Sequence, residues 1–190
     1  MAATLTGASL VLNTPRPADA GAVYRICQDP EILRWVPLPE PYERRRAEYF
    51  VTTYVPEGIA TGKRMVWAIR TAEDAPLQGV VELATASDSA ADIGYWLAPS
   101  ARGHGIMTRA IGLVLDHAFA SVGLARVQWL TVVGNTRSAR LARATGFRFE
   151  GTARSAILFR GQRRDVWRAA ILATDTRAPQ EGWPAEIDPL

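Results

Sequence analysis

Residues 93–108 read IGYWLAPSARGHGIMT, and this stretch decides the fold. The run at 93–97 combines apolar, β-branched and aromatic residues, which predicts a buried strand. A glycine turn follows, and then an apolar-rich segment at 110–119 that predicts a helix. This order presents unpaired backbone N–H groups at a helix N-terminus, where the helix dipole favours an anion. Arg102 adds a planar cation suited to phosphate.

Two nucleotide-binding motifs fit this turn poorly. A Walker A loop requires Lys and then Ser or Thr after its last glycine, but Ile106-Met107 stand there. A Rossmann fingerprint matches Gly103 and Gly105, but Thr108 occupies its third glycine position and no second Rossmann half is visible. Taken alone, the turn fits a structural turn as well as a pyrophosphate loop.

Three further motifs follow at fixed spacing, after a strand pattern at 126–133. They are Asn135-x-x-Ser138, Gly146-Phe147 and Glu150-Gly151. Together with the glycine turn, this run resembles the GNAT N-acetyltransferases of the RimJ/RimL-type branch, although Met107 stands at a small-residue position of the broad pattern. The resemblance covers Ile93 to about Ile171, and more loosely the N-terminal half.

The resemblance implies that acetyl-CoA is the acetyl donor. Its pantetheine arm would pair with the backbone of the strand at 93–97, and its pyrophosphate would lie on the glycine turn. Asn135 would bond the pantetheine or serve as a plain helix N-cap, and Arg140 and Arg143 would reach the CoA phosphates or face solvent. The residues expected to bind acetyl-CoA are Trp96, Leu97, Arg102, Gly103, His104, Gly105, Ile106, Met107, Thr108, Asn135, Ser138, Arg140 and Arg143.

The catalytic residues follow from the same resemblance. It implies that Ser138 protonates the departing CoA thiolate; the alternative is that its hydroxyl only bonds the first turn of its helix. Some ribosomal-protein-modifying relatives carry a carboxylate, their general base, where Ile157 stands here. Glu82 and Glu150 are the substitutes as general base, and each also has an ordinary structural interpretation.

The acceptor site is expected in the proline-rich segment 31–42, which the sequence predicts to be a loop. Trp35 and Tyr42 lie in it, and aromatic side chains on loops often line ligand sites. The alternative is that both rings cap the edge of the core.

The remaining pattern predicts an α/β fold with a mixed sheet. In the resembled fold, a mostly antiparallel central sheet has strands that splay at the cofactor, with helices on its flanks. We expect one domain over residues 1–174 and an irregular tail, rich in proline and glycine, over 175–190. The predicted strands are 8–12, 65–70, 79–84, 92–97, 126–133, 147–159 and 163–173, and the predicted helices are 20–28, 43–54, 110–119 and 138–144.

Composition narrows the class of protein. Of the 190 residues 48% are hydrophobic and 22% charged, which is ordinary for one globular domain, and no apolar run approaches the roughly 18 residues that span a membrane. Cys27 is the single cysteine, so no internal disulfide and no zinc motif are expected, and a cytoplasmic protein without a metal is the simplest expectation. A net charge of +3, without an arginine stripe between aromatics, gives no reason to expect nucleic acid. The sequence leaves the oligomeric state undetermined, with a homodimer as one alternative.

The acceptor chemistry favours an α-amine. A lysine amine, at pKa ~10.4, costs about 4–5 kcal/mol to deprotonate at pH 7, whereas an α-amine at ~7.7–8.0 costs only about 1 kcal/mol. A site without an obvious strong base therefore suits an α-amine better than a lysine. The resemblance implies the same kind of acceptor, a protein N-terminus such as those of ribosomal proteins. The alternatives are small amines, including antibiotics, amino acids and polyamines, and a catalytically silent acyl-CoA-binding domain.

Overall fold

A computed structural model describes residues 3–188 as one open eight-stranded sheet with helices on both faces. The strand order is β1-β2-β3-β4-β5-β6-β8-β7, and every neighbouring pair is antiparallel except the parallel pair β5–β6. This confirms the predicted mixed, mostly antiparallel α/β fold. The strands are β1 Leu5–Gly7, β2 Leu10–Asn13, β3 Arg64–Arg70, β4 Gly79–Ser87, β5 Ala90–Leu97, β6 Arg126–Val132, β7 Arg148–Phe159 and β8 Gln162–Leu172.

Six α-helices lie within the described residues, with one π-helical turn, Phe50–Tyr54, between the third and the fourth. None of the helices in residues 3–188 is long and apolar enough to cross a bilayer. The helices are α1 Ala20–Ile26, α2 Pro30–Trp35, α3 Arg44–Tyr49, α4 Val55–Ala60, α5 Ile106–Ala120 and α6 Thr136–Ala144, and short 3-10 turns cover Pro17–Asp19, Pro99–Ala101 and Ala185–Ile187.

The alternation of apolar residues along β3 gives the sheet two cores. Trp67 and Ile69 point to one face, where they pack in the cluster that contains α5, which we call the first core. Val66 and Ala68 point to the other face, where α1, α3 and α4 cover them, and we call this cluster the second core. Successive side chains of a strand face opposite sides of its sheet, so a strand with consecutive buried apolar residues, such as 66–69 here, belongs between two helical layers.

The two parallel strands at the centre pair for only three residues. Their register ends at Asp92 opposite Gln128. Beyond that pair β5 continues beside β4 as far as Leu97, and β6 continues beside β8 as far as Val132. The strands therefore separate from Ile93 onward, and this V-shaped gap holds the candidate site.

Three local predictions from the sequence are wrong in detail. The strand predicted at 8–12 is a hairpin of β1 and β2, because Ala8 and Ser9 adopt positive φ values of 51° and 60° and turn the chain. The helix predicted to end at Tyr54 continues through the π turn to Ala60. Residues 31–35 of the predicted loop belong to helix α2, since Asp29 accepts a hydrogen bond from the Ile32 amide and Pro30 opens the first turn.

The segment after β8 packs against the first core. Ile187 is fully buried, and the Trp183 ring lies 5.6 Å from that of Trp129. Arg140 and Arg143 of α6 also reach this segment, through the Ile187 carbonyl and the Asp188 carboxylate. Residues 183–188 therefore extend the core that the strands form.

Candidate active site

A cleft of about 790 Å³ lies where β5 and β6 separate. Its walls come from β5, the glycine turn and the start of α5 on one side, and from β6 and α6 on the other. Of the residues predicted to act on donor or acceptor, the cleft brings together Trp35, Trp96, Leu97, Arg102, Gly103, Gly105, Ile106, Met107, Thr108, Asn135 and Ser138.

The glycine turn leaves the N-terminus of α5 open toward the cleft. Gly103 and Gly105 have φ values of +80° and +67°, a left-handed conformation that costs glycine little. Gly105 is the N-cap, so no side chain bonds the first amides of the helix. These amides, at Ile106, Met107 and Thr108, have no acceptor within the helix. They and the helix dipole fit an anionic phosphate, which is what acetyl-CoA would place there.

Arg102 is held in two directions. Its Nε donates to the Leu97 carbonyl at 3.2 Å, and Nη2 donates to Asp29 Oδ1 at 3.0 Å. Burial raises the pKa of Asp29, but the bonds from Arg102 and from the α2 backbone outweigh it and hold this pKa below 3.8. The guanidinium therefore joins the end of β5 to α2 while it lines the cleft.

Helix α2 bridges the opening of the cleft. Its N-cap residue, Asp29, is held from the β5 side by Arg102. On the β6 side, Glu31 Oε2 lies 3.8 Å from Arg137 Nη1, and a Cβ added at Gly134 would meet the Trp35 ring at 3.8 Å. Glu31 and Arg137 both line the cleft, and neither was predicted from the sequence as a site residue. An Asp before a Pro, the usual start of a helix, was the sequence pattern that could have revealed α2.

Three polar side chains meet in the cleft, and we call them the Ser138 cluster: Tyr95, Trp129 and Ser138. Tyr95 Oη lies 2.9 Å from Ser138 Oγ, and Trp129 Nε1 donates to both oxygens at 3.1 Å. Burial raises the pKa of Tyr95 to about 12, against the hydrogen bonds that its oxygen makes with Ser138 and Trp129. The phenol therefore stays protonated at neutral pH.

Asn135 orients the start of α6 beneath this cluster. Its Oδ1 accepts from the Ser138 amide at 3.4 Å, and its Nδ2 donates to Thr131 Oγ1 at 2.9 Å. It is thus the N-cap, and it is buried with both ends of its amide bonded within the protein. Ser138 does not use its hydroxyl for capping, which leaves the hydroxyl to the cluster.

Glu82, predicted as a general base, lies beside the cleft without lining it. Its carboxylate accepts from Tyr54 Oη at 2.9 Å and Arg64 Nε at 3.0 Å. Burial raises the pKa of Glu82 above 4.5, and both partners oppose this. Its cross-strand partner is Gly94, which lines the cleft and whose missing side chain leaves open space.

The other predicted base is engaged elsewhere. Both oxygens of Glu150 accept from Arg126, at 2.7 and 2.5 Å, and neither residue lines the cleft. Asp92 carries a further carboxylate, at the last β5–β6 pair, and it was not predicted from the sequence as a base. Burial raises the pKa of Asp92 above 3.8, while Arg126 and Arg168 oppose it.

Four other predicted site residues do not line the cleft. Tyr42 is only 6% exposed and packs in the second core, so it does not wall the acceptor site. Arg140 and Arg143 bond residues 187–188 instead. His104 lies in the glycine turn, where its carbonyl accepts from Arg109.

A splayed parallel strand pair, an open helix N-terminus and a hydroxyl cluster meet in one cleft, and this arrangement fits a long ligand with a phosphate at one end. Within residues 3–188, no three His, Cys, Asp or Glu side chains are grouped as a metal would require. The acetyltransferase (GNAT) domain family matches residues 9–148 of the chain. The chain therefore belongs to the GNAT family, which confirms the family predicted from the sequence.

Individual relatives agree with this assignment. Probable N-acetyltransferase YjcK of Bacillus subtilis (strain 168) is 38% identical over 112 residues, which are 57% of this chain and 62% of YjcK. RimJ of Mycobacterium smegmatis, solved with CoA-disulfide, superposes with a TM-score of 0.78 at 27% identity, over 90% of this chain and 86% of that one. The ribosomal L7/L12 α-N-protein acetyltransferase RimL has the same fold, with a TM-score of 0.79 at 21% identity over 90% and 95% of the two chains.

Proposed function

We propose that the chain is an acetyl-CoA-dependent N-acetyltransferase that acts on the α-amine of a protein N-terminus. The observation that carries this proposal is the Ser138 cluster, because it places a hydroxyl in the cleft that also contains the glycine turn. A protein that only bound acyl-CoA would need the turn and the splayed strands, but not this hydroxyl.

The cleft suits the donor in shape and charge. Within residues 3–188, no strand pairs with the β6-facing edge of β5 beyond Asp92, so this edge is available to the amides of a pantetheine arm. The open N-terminus of α5 suits the pyrophosphate. When bound, acetyl-CoA supplies the activated acetyl thioester.

Residues of the chain bind the donor and serve as the acid and the base. The β5 and β6 walls hold and orient the donor, and Ser138 provides a proton for the leaving sulfur. Glu82 is the base that we favour over Glu150, because burial keeps its pKa raised and it lies across the strand pair from Gly94. An α-amine needs only such a weak base, because its own pKa is near neutrality.

Two of the structural neighbours support a protein N-terminus as the acceptor. RimL is described as an α-N-protein acetyltransferase, and the Vibrio fischeri enzyme, with a TM-score of 0.77 at 18% identity, as a ribosomal-protein-S5-alanine acetyltransferase. The second candidate is a small-molecule amine. The contact that Glu31 of α2 makes with Arg137 across the cleft favours it, since a segment held over the cleft hinders large acceptors more than small ones.

A turnover panel tests the proposal. Acetyl-CoA consumption is measured with N-terminal peptides, with the same peptides blocked at the N-terminus but carrying free lysines, and with small amines. We expect the open peptides to react and the blocked ones to fail. Equal rates for open and blocked peptides would exclude the α-amine, and turnover with small amines alone would favour the second candidate.

A further inference from the structure

The donors in the Ser138 cluster can be assigned by counting the polar hydrogen atoms of its three side chains. An indole nitrogen can only donate, so Trp129 Nε1 gives its hydrogen to the two oxygens, each 3.1 Å away. Trp129 is only 2% exposed, so water does not compete for this hydrogen. Two hydroxyl hydrogens then remain, on Tyr95 and Ser138, and the 2.9 Å contact between their oxygens uses one of them.

The direction of that shared bond decides which hydroxyl can donate to a ligand. A phenol is more acidic than an alkyl hydroxyl and is therefore the better donor. Because burial keeps the pKa of Tyr95 near 12, the phenol retains its hydrogen throughout the neutral range. Tyr95 thus donates to Ser138 Oγ, and Trp129 donates to the same atom. With two hydrogen bonds accepted, the hydrogen of Ser138 is left to point at another acceptor.

We propose that Tyr95 and Trp129 are positioning residues, which aim the hydroxyl hydrogen of Ser138 at the sulfur of the departing CoA. This inference rests on the proposed function and deepens it. Tyr95 and Trp129 act through Ser138, which touches the reacting sulfur. The lone alternative acceptor for the Tyr95 hydroxyl within the cluster, the Ser138 carbonyl, is a poorer partner at 3.4 Å.

The proton transfers balance. As the amine nitrogen bonds the acetyl carbon, the C–S bond breaks and its electron pair stays on sulfur. The sulfur takes the hydrogen of Ser138, the serine oxygen takes that of Tyr95, and Trp129 remains bonded to the tyrosine oxygen. Tyr95 regains a proton from water, and the acylated nitrogen releases one to the base or to water.

Tyr95→Phe tests the inference, since it removes one oxygen atom and keeps the ring. We expect kcat to fall by about 10-fold or more, with the Kd of acetyl-CoA unchanged. Ser138→Ala should cost more, and Tyr95→Phe should add almost nothing in the Ser138→Ala background, because residues that act as a unit are non-additive. Tyr49→Phe, at an exposed site on α3, is the matched control and should leave kcat unchanged.

A second readout needs no acceptor. The pKa of the CoA thiol is measured by ultraviolet titration of the bound coenzyme in the wild type, Tyr95→Phe, Trp129→Phe and Ser138→Ala. A hydrogen bond from Ser138 stabilises the thiolate, so this pKa should be about one unit lower in the wild type than in each variant. If Trp129→Phe does not fold, Tyr95→Phe decides alone.

The two proposals fail in different ways. If the wild type acetylates an amine but Tyr95→Phe changes neither kcat nor the thiol pKa, the positioning role is overturned and the proposed function stands. If Tyr95→Phe and Ser138→Ala lower kcat independently, their effects multiplying, the positioning role is likewise overturned. If no amine is acetylated, the proposed function fails while the thiol titration still decides the positioning role. Failure of the wild type to bind CoA would overturn both.

Discussion

Asp29 Oδ1 lies 3.0 Å from Arg102 Nη2, and this ion pair links the helix over the cleft to the turn beneath it. Asp29 is the N-cap of α2, and Arg102 is the first residue of the glycine-turn motif. Helix α2 and the glycine turn therefore share one structural support. We expect a substitution of Asp29 to change the position of α2 more than the geometry of the turn.

Asp29→Asn should separate the charge from the cap, because asparagine caps helices as well as aspartate does. At pH 7 we expect a loss of about 1–2 kcal/mol in the free energy of unfolding. The pKa of Asp29 is lowered in the folded state, so its contribution is present above pH 3.8 and disappears as the pH falls through the folded pKa. Urea unfolding of both proteins should therefore show a difference at pH 7 that closes below about pH 4. Asp74→Asn, in an exposed ion pair with Arg16, is the control and should change little at either pH.

Gly105→Ala should weaken acetyl-CoA binding by about 10-fold or more, since it places a Cβ at the open helix N-terminus. Gly62→Ala is a matched control, because Gly62 has the same φ of +67° and open space around it. Both variants should lose about 1–2 kcal/mol of stability through backbone strain. Calorimetry on the folded proteins separates strain from binding. Equal acetyl-CoA affinities in the two would remove the glycine turn from the donor site.

Arg137→Gln should lower the affinity for CoA by about 10-fold, the effect of one lost hydrogen bond to a charged group. Arg137 lines the cleft and its side chain is 75% exposed, which leaves it accessible to an anion. Arg143→Gln is the comparison, because that guanidinium bonds Asp188 outside the cleft. If a CoA titration shows a larger loss of affinity for Arg143→Gln than for Arg137→Gln, Arg143, as predicted from the sequence, contacts the phosphates instead.

Ile187→Ala should destabilise the protein by about 2–5 kcal/mol, as expected for a large apolar side chain removed from a core. Ile187 is fully buried among the residues of the first core. Glu181→Ala, at an exposed position of the same tail, should stay close to the wild type. Equal midpoints for the two variants in urea would show that the tail only rests on the domain.

The sequence predicts the elements around the cleft well because their patterns are local. The apolar run at 93–97, the glycines at 103 and 105 and the spacing from Asn135 to Ser138 each encode one turn or one strand, and the structure forms these elements at those positions. The start of α2 was also encoded locally, by Asp29-Pro30, but the prolines that follow favour a loop.

The contacts between distant segments could not be predicted from one sequence. Nothing near Tyr42 in the chain indicates that its ring is buried in the second core, and nothing near Arg140 indicates a bond to the carbonyl of Ile187. Tyr95, Trp129 and Ser138 stand 34 and 9 residues apart along the chain. They meet only because β5 and β6 are neighbours that diverge, which is a property of the whole sheet.

The order of the strands also bears on how the protein is made. Strands β2 to β5 each pair with the strand before them in the chain, so this half of the sheet can assemble while synthesis proceeds from the N-terminus. Strand β8 instead inserts between β6 and β7, so the β6 wall of the cleft is completed only after β8 has been synthesised. A nascent chain halted after β7 would carry β6 with an unpaired edge, which is the kind of exposed strand that aggregates. We therefore expect a pause in translation between β6 and β8 to favour aggregation.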